Sequence, residues 1–279
     1  MTLLDEDRLF PSDGRSRDLA RALFATVRDL PIVSPHGHTD PRWLAENNPF
    51  ANPAELFVTP DHYVFRMLFS QGVRLEDLGI QTIMGTEDPV DPREVWRTFA
   101  EHYYVFRGTP SRLWIDHSLQ TVFGVEKVLS AKTADEIYDK ITDCLFRLEF
   151  RPRALFDKFD IEVIATTESP LDTLEHHAQI ASSGWNGRVI TTYRPDVVID
   201  PENPDFLENL KAFSETTDED ALTWAGYLNA HRKRRRDFIA HGATASDHGH
   251  PSARTENLSD SAAQDLFASA LRDPADPKI

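Results

Sequence analysis

Apolar residues recur at helical spacing at Leu19, Leu23, Val27 and Leu30, which predicts a helix from Arg15 to Leu30. It runs into Leu30-Pro-Ile-Val-Ser-Pro-His36-Gly-His38-Thr-Asp40, a short apolar stretch that reads as a strand ending on two histidines. From Pro41 to Pro152 the chain then carries helix signals and almost no strand signal. Segments 61–72, 91–106, 111–123 and 133–150 have helical periodicity and are separated by Pro and Gly.

Beyond Pro152 the pattern becomes an alternation of strands and helices. Ile161 to Thr167 and Arg188 to Arg194 read as strands, the second stopped by Pro195, with a helix over 169–181 between them. Helices over 204–213 and 218–240 follow, then Ala243 to Asp247 as a short last strand and a helix over 260–271. Such alternation predicts a parallel sheet with ligands at the carboxyl ends of the strands. Four strands fall short of a closed (β/α)8 barrel. The pattern therefore fits an open sheet or the front part of a longer barrel. It divides into an N-terminal helix and first strand (1–40), a helical insertion (41–152) and further βα units (153–279).

Composition narrows the function classes. The 279 residues are 40% hydrophobic and 27% charged, as in an ordinary globular chain, and the formal net charge is −16. So acidic a chain repels phosphate, which argues against nucleic acid and anionic membranes as partners. The single cysteine, Cys144, excludes an intrachain disulfide, and with no signal-peptide pattern the expected setting is cytoplasmic. There is also no apolar run of the roughly 18 residues that a membrane helix needs.

His36 and His38 carry the sharpest chemical signal. Side chains two apart on a strand point the same way, so the pair can hold one divalent cation, zinc being the first choice for imidazole nitrogens. Gly37 between them is expected to let the backbone turn tightly. The same spacing also suits two histidines hydrogen-bonded at a strand end, and two ligands are fewer than a catalytic zinc normally takes. Asp40 suits a helix cap before Pro41.

Other candidates are looser. Asp61 fits an N-cap, which places His62 and Tyr63 in the first helical turn as an acid and base pair or as an aromatic staple. Arg194, at a strand end, offers a fork that fits a carboxylate, or it pairs with Asp196. The loop His241-Gly-Ala-Thr-Ala-Ser-Asp247-His248-Gly-His250 puts Asp247 and His248 within reach of a substrate. Thr167 and Glu168 read as caps of the next helix. The run Arg232 to Arg236 reads as a solvated helix face, and His176 and His177 point about 100° apart on a helix, unsuited to sharing an ion.

Taken together, PIVSPHGHTDPRWLAEN at 31–47, AELFVTPDHYVFRMLFSQGV at 54–73, GTPSRLWIDHSLQTVFGV at 108–125, ATTESPLDTLEHHAQIA at 165–181, TTYRPD at 191–196 and AHGATASDHGH at 240–250 resemble uronate isomerase (glucuronate isomerase) of the amidohydrolase superfamily. The resemblance implies a distorted (β/α)8 barrel with a helical insertion after its first strand. It also implies interconversion of D-glucuronate with D-fructuronate, or D-galacturonate with D-tagaturonate. His36 and His38 would bind one divalent metal, commonly zinc. His62 and Tyr63 would face the sugar acid, and Arg194 would contact its carboxylate. Moving a proton between C2 and C1 through a cis-enediol needs an acid-base group and an electrophile on the oxygens. Tyr63 and a water on the cation are both open as the proton carrier.

Members of that family are much longer and use an aspartate from the last barrel strand, which has no counterpart here. The expectation is half a barrel, with poor activity by itself and a possible need to oligomerise. A metal-dependent hydrolase of the same superfamily and a non-catalytic fragment that binds a sugar acid are the competing readings.

Overall fold

The computed structural model describes residues 4–80, 89–249 and 254–274. In chain order its elements are α1 (Gly14–Phe24), β1 (Ile32–Ser34), α2 (Pro41–Glu46), α3 (Pro53–Phe57), α4 (His62–Phe69), α5 (Pro92–Glu101), α6 (Pro110–His117), α7 (Ala134–Leu145) and α8 (Pro152–Lys158), then β2 (Ile161–Glu168), α9 (Glu175–Ser182), β3 (Val189–Tyr193), α10 (Asp196–Ile199), α11 (Phe206–Thr217), α12 (Trp224–Ala240) and α13 (Asp260–Arg272). They form two compact units: Met1–Leu30 with Asn48–Leu155, and Pro31–Asn47 with Phe156–Ile279. The helix ahead of β1 thus goes with the helical unit, while β1 goes with the later strands.

The helical unit is built on aromatic packing. Trp96 and Phe99 of α5 are fully buried, and Phe99 meets Tyr103 and Phe106 edge-on at ring distances of 5.2 and 5.6 Å. Trp96 also donates its indole N–H to the Ala134 carbonyl at 3.0 Å, tying α5 to the start of α7. Trp96→Ala should therefore cost about 3–5 kcal/mol, since it opens a cavity and loses this hydrogen bond. Urea unfolding checks this, and a loss under about 1 kcal/mol would contradict it.

The second unit holds a parallel sheet in the order β1-β2-β3. Ile32 pairs with Ile161 at one seam, and Thr166 with Thr191 and Glu168 with Tyr193 at the other. Leu44, Ala45, Phe156 and Ile180 pack with Ile161, Ile164 and Val189 in one apolar cluster beside the sheet. Val198, Phe206, Leu210 and Phe213 form a further cluster around α10 and α11.

Several expectations change. Helix α1 stops at Phe24, because β-branched Thr26 and Val27 enter i→i+3 turns on Leu23 and Phe24 instead of extending it. The helix expected from Ser169 begins only at Glu175: Pro170 opens a turn, and Leu174 has φ 58°, outside helical geometry. The expected strand at 243–247 reduces to a single bridge between Ser246 and Tyr193, so the described residues form a three-stranded sheet. Gly242 at φ +93° bends the chain just before it. The short helices α2 and α3 have no periodicity long enough to predict, although Asp40 caps α2 by accepting from Arg42 N–H. Among the described residues, no helix is long and apolar enough to cross a membrane.

Candidate functional site

Strand β1 is short because Pro31 and Pro35 bracket it and neither can donate to a ladder. The chain leaves the sheet at once and presents His36 and His38. Their Nε2 atoms lie 3.2 Å apart, with the rings nearly perpendicular. Gly37 plays no special conformational part: its φ is not positive, and a Cβ there would make only ordinary contact with the Ala165 carbonyl at 3.6 Å. The turn is held instead by Thr167, whose hydroxyl donates to the Gly37 carbonyl at 3.4 Å.

The other members of the cluster come from the segment after β3. Asp247 is fixed by its own N–H, which donates to the Tyr193 carbonyl at 3.0 Å. Its Oδ2 lies 2.9 Å from His36 Nδ1 and 3.8 Å from Arg194 Nη1. Arg194 Nε in turn lies 3.5 Å from Asp196 Oδ2, while Asp196 Oδ1 accepts the Gly249 N–H at 2.5 Å. Gly249 lets the chain approach closely, since a Cβ there would come within 2.6 Å of Asp196 Oδ1 and 3.1 Å of Arg194 Nη2 and push these side-chain ends aside.

The structure thus joins His36, His38, Arg194 and Asp247 in one cluster. Arg194 faces Asp196, as one sequence reading has it, but it faces Asp247 as well. Asp247 stands against His36, a partnership far apart in sequence that no local pattern signals. His248 Nε2 lies 3.1 Å from Ser246 Oγ, and His250 lies outside the described residues. His62 and Tyr63 belong to the helical unit. Asp61 accepts the Tyr63 N–H at 2.8 Å, the two rings lie 4.2 Å apart, and the Tyr63 side chain is exposed.

The separation of the two histidines suits both sequence readings, a hydrogen bond between the imidazoles and a pair of nitrogens on one divalent ion. Two nitrogens on one tetrahedral zinc, each bonded at about 2.0–2.1 Å, stand roughly 3.3 Å apart, close to the observed 3.2 Å. A carboxylate beside His36 Nδ1 also favours the Nδ1–H tautomer, which leaves the Nε2 lone pair toward His38. Among the described residues, no group of three or more His, Cys, Asp and Glu is placed to hold a metal. Asp247 meets the far nitrogen of His36, not the Nε2 that faces His38.

Two buried histidines were not recognised as polar anchors from sequence. His177 of α9 and His231 of α12 are held neutral, each pushed down to about 4 by burial. His231 Nδ1 meets the Tyr193 hydroxyl at 2.7 Å, and Arg234 is likewise buried, donating to the carbonyls of Pro170 and Asp172. The basic run is therefore not wholly a solvated face.

These features define an α/β protein whose candidate site gathers at the carboxyl ends of a parallel sheet. The glucuronate isomerase (UxaC) family model matches residues 5–276. The uronate isomerase of Mesorhizobium japonicum is 59% identical over 278 residues, covering 100% of this chain and 59% of that protein. That of Xanthomonas axonopodis pv. citri is 58% identical over 275 residues, covering 99% and 58%. A crystal structure of glucuronate isomerase from Caulobacter crescentus superposes with TM-score 0.94 at 53% identity, covering 100% of this chain and 58% of that one. A crystal structure of uronate isomerase from Thermotoga maritima gives 0.84 at 30% identity, covering 99% and 57%. The chain belongs to the glucuronate isomerase family, and it spans about 59% of the length of the curated relatives it matches.

Proposed function

We propose that the chain acts in the interconversion of an aldohexuronate and a ketohexuronate, D-glucuronate with D-fructuronate and D-galacturonate with D-tagaturonate. The observation that carries this reading is the joining of His36, His38, Asp247 and Arg194 at the strand ends of a member of this family. We read the three parallel strands and their helices as βα units of a (β/α)8 barrel. The lone, buried Cys144 supports a reducing cytoplasmic setting.

His36 and His38 would hold one divalent ion, zinc as first choice, which when bound supplies positive charge to polarise the oxygens at C1 and C2. Asp247 keeps His36 in the tautomer and orientation that serve it. Arg194 binds the uronate carboxylate through its guanidinium, and the two aspartates beside it fix the direction in which the fork points. The family resemblance supports His62 and Tyr63 as groups that face the sugar acid and can hold or move a proton there. Conversion of D-glucuronate and D-galacturonate by the purified chain, followed by product analysis, tests the reading. A ketouronate is expected, and its absence would reject the assignment.

Arg194→Met separates recognition from chemistry. Losing the charged hydrogen bonds costs roughly 2–3 kcal/mol of binding, so KM should rise about thirtyfold or more while kcat changes less. An unchanged KM would remove Arg194 from carboxylate recognition.

A further inference from the structure

Glu168 is the last residue of β2 and is only 5% exposed, an unusual place for a carboxyl whose sequence context suggests no more than a helix cap. Thr166 and Glu168 share one side of the strand. The hydroxyl of Thr191, itself fully buried on β3, donates to Glu168 Oε2. His177 Nε2 approaches the same oxygen at 3.8 Å and meets the Thr166 hydroxyl at 2.9 Å. The carboxyl is thereby braced from β3 by Thr191, while the neutral His177 lies beyond hydrogen-bond reach of it and holds the Thr166 hydroxyl instead. An apolar side chain would fill this space without the desolvation that a carboxyl suffers, so packing alone does not account for it.

Two short links lead from Glu168 to the candidate site. Its own carbonyl accepts the Arg194 N–H at 3.0 Å. The hydroxyl of its neighbour Thr167 reaches the Gly37 carbonyl, between His36 and His38, at 3.4 Å. We propose that Glu168 is a positioning residue: its carboxyl, held by the Thr191 hydroxyl, pins the ends of β2 and β3 and so keeps Arg194 and the His36–His38 turn in place. The structural part stands by itself, and the consequence for turnover rests on the isomerase reading.

Amide hydrogen exchange and uronate kinetics on the full chain test both parts. In Glu168→Ala the Arg194 amide should exchange at least tenfold faster while amides of α11 keep their rates, and KM should rise about tenfold with a smaller change in kcat. Glu168→Gln, which still offers Thr191 an acceptor, should restore both to within about threefold. Should Glu168→Ala fail to fold, Thr191→Val removes the brace from the other strand and should give the same local loosening. Unchanged exchange at Arg194, loosening spread equally through α11, or a Gln variant as impaired as Ala would each overturn the proposal. A wild-type chain without turnover would instead count against the isomerase reading, with the exchange rates still deciding the role of Glu168.

Discussion

Replacing His36 or His38 with alanine is expected to lower uronate turnover about a thousandfold and to abolish stoichiometric zinc binding. Either change removes one of the two nitrogens that lie 3.2 Å apart, and a single imidazole holds a divalent ion poorly. Charge stabilisation by a bound ion is worth several kcal/mol in such chemistry, which sets the size of the loss. Asp247→Asn should fall between these variants and the wild type. It keeps both ligands but weakens the grip on His36 Nδ1, so zinc affinity should drop about 10–100-fold. Zinc content and turnover measured on the same samples check the order. An alanine variant that retains one zinc per chain, or Asp247→Asn as impaired as His36→Ala, would show that the ion is held elsewhere.

Acid is expected to destabilise the chain between about pH 6.5 and 4. His177 and His231 are buried and held neutral, with values near 4 in the folded chain, against about 6.5 when unfolded. Within that window the unfolded chain takes up protons that the folded chain refuses, so stability falls as pH falls. Each histidine should contribute a loss of roughly 3 kcal/mol by pH 4 and none above pH 6.5. Glu168 works the other way. Burial raises its value, so the folded chain binds that proton more readily and gains stability as pH falls, offsetting part of the loss. Urea unfolding measured from pH 4 to 7 should show the slope, and His231→Gln should flatten it. A stability independent of pH across this range would contradict the account.

What the sequence revealed depended on how local each signal was. Strands β2 and β3 lie within a residue of their expected bounds, because runs such as Ile161-Glu-Val-Ile-Ala-Thr-Thr167 are bounded by charged or proline punctuation. Helix α5 lies inside the helical segment expected over 91–106 but ends at Glu101; Asp91 caps it and Pro92 opens its first turn. The segment 243–247 misled because its small residues can extend without forming a ladder, and its pairing is confined to one bridge on Tyr193. The partnership of Asp247 with His36, and that of Glu168 with Thr191, join residues from different elements. Nothing in the local pattern of any one of them announces the other. Arg234 shows the same limit, since Arg232, Arg235 and Arg236 of the basic run are exposed while it is drawn into the fold by two carbonyls in the turn after β2.

The most direct measurement is an end-point NMR assay in deuterated water. The zinc-loaded chain is incubated with D-glucuronate beside the His36→Ala variant, since an end point registers even slow turnover. In samples taken before the wild type nears equilibrium, the account predicts D-fructuronate from the wild type and about a thousandth as much from the variant. Absence of the ketouronate with a folded, zinc-loaded wild type, or equal conversion by the variant, would contradict it.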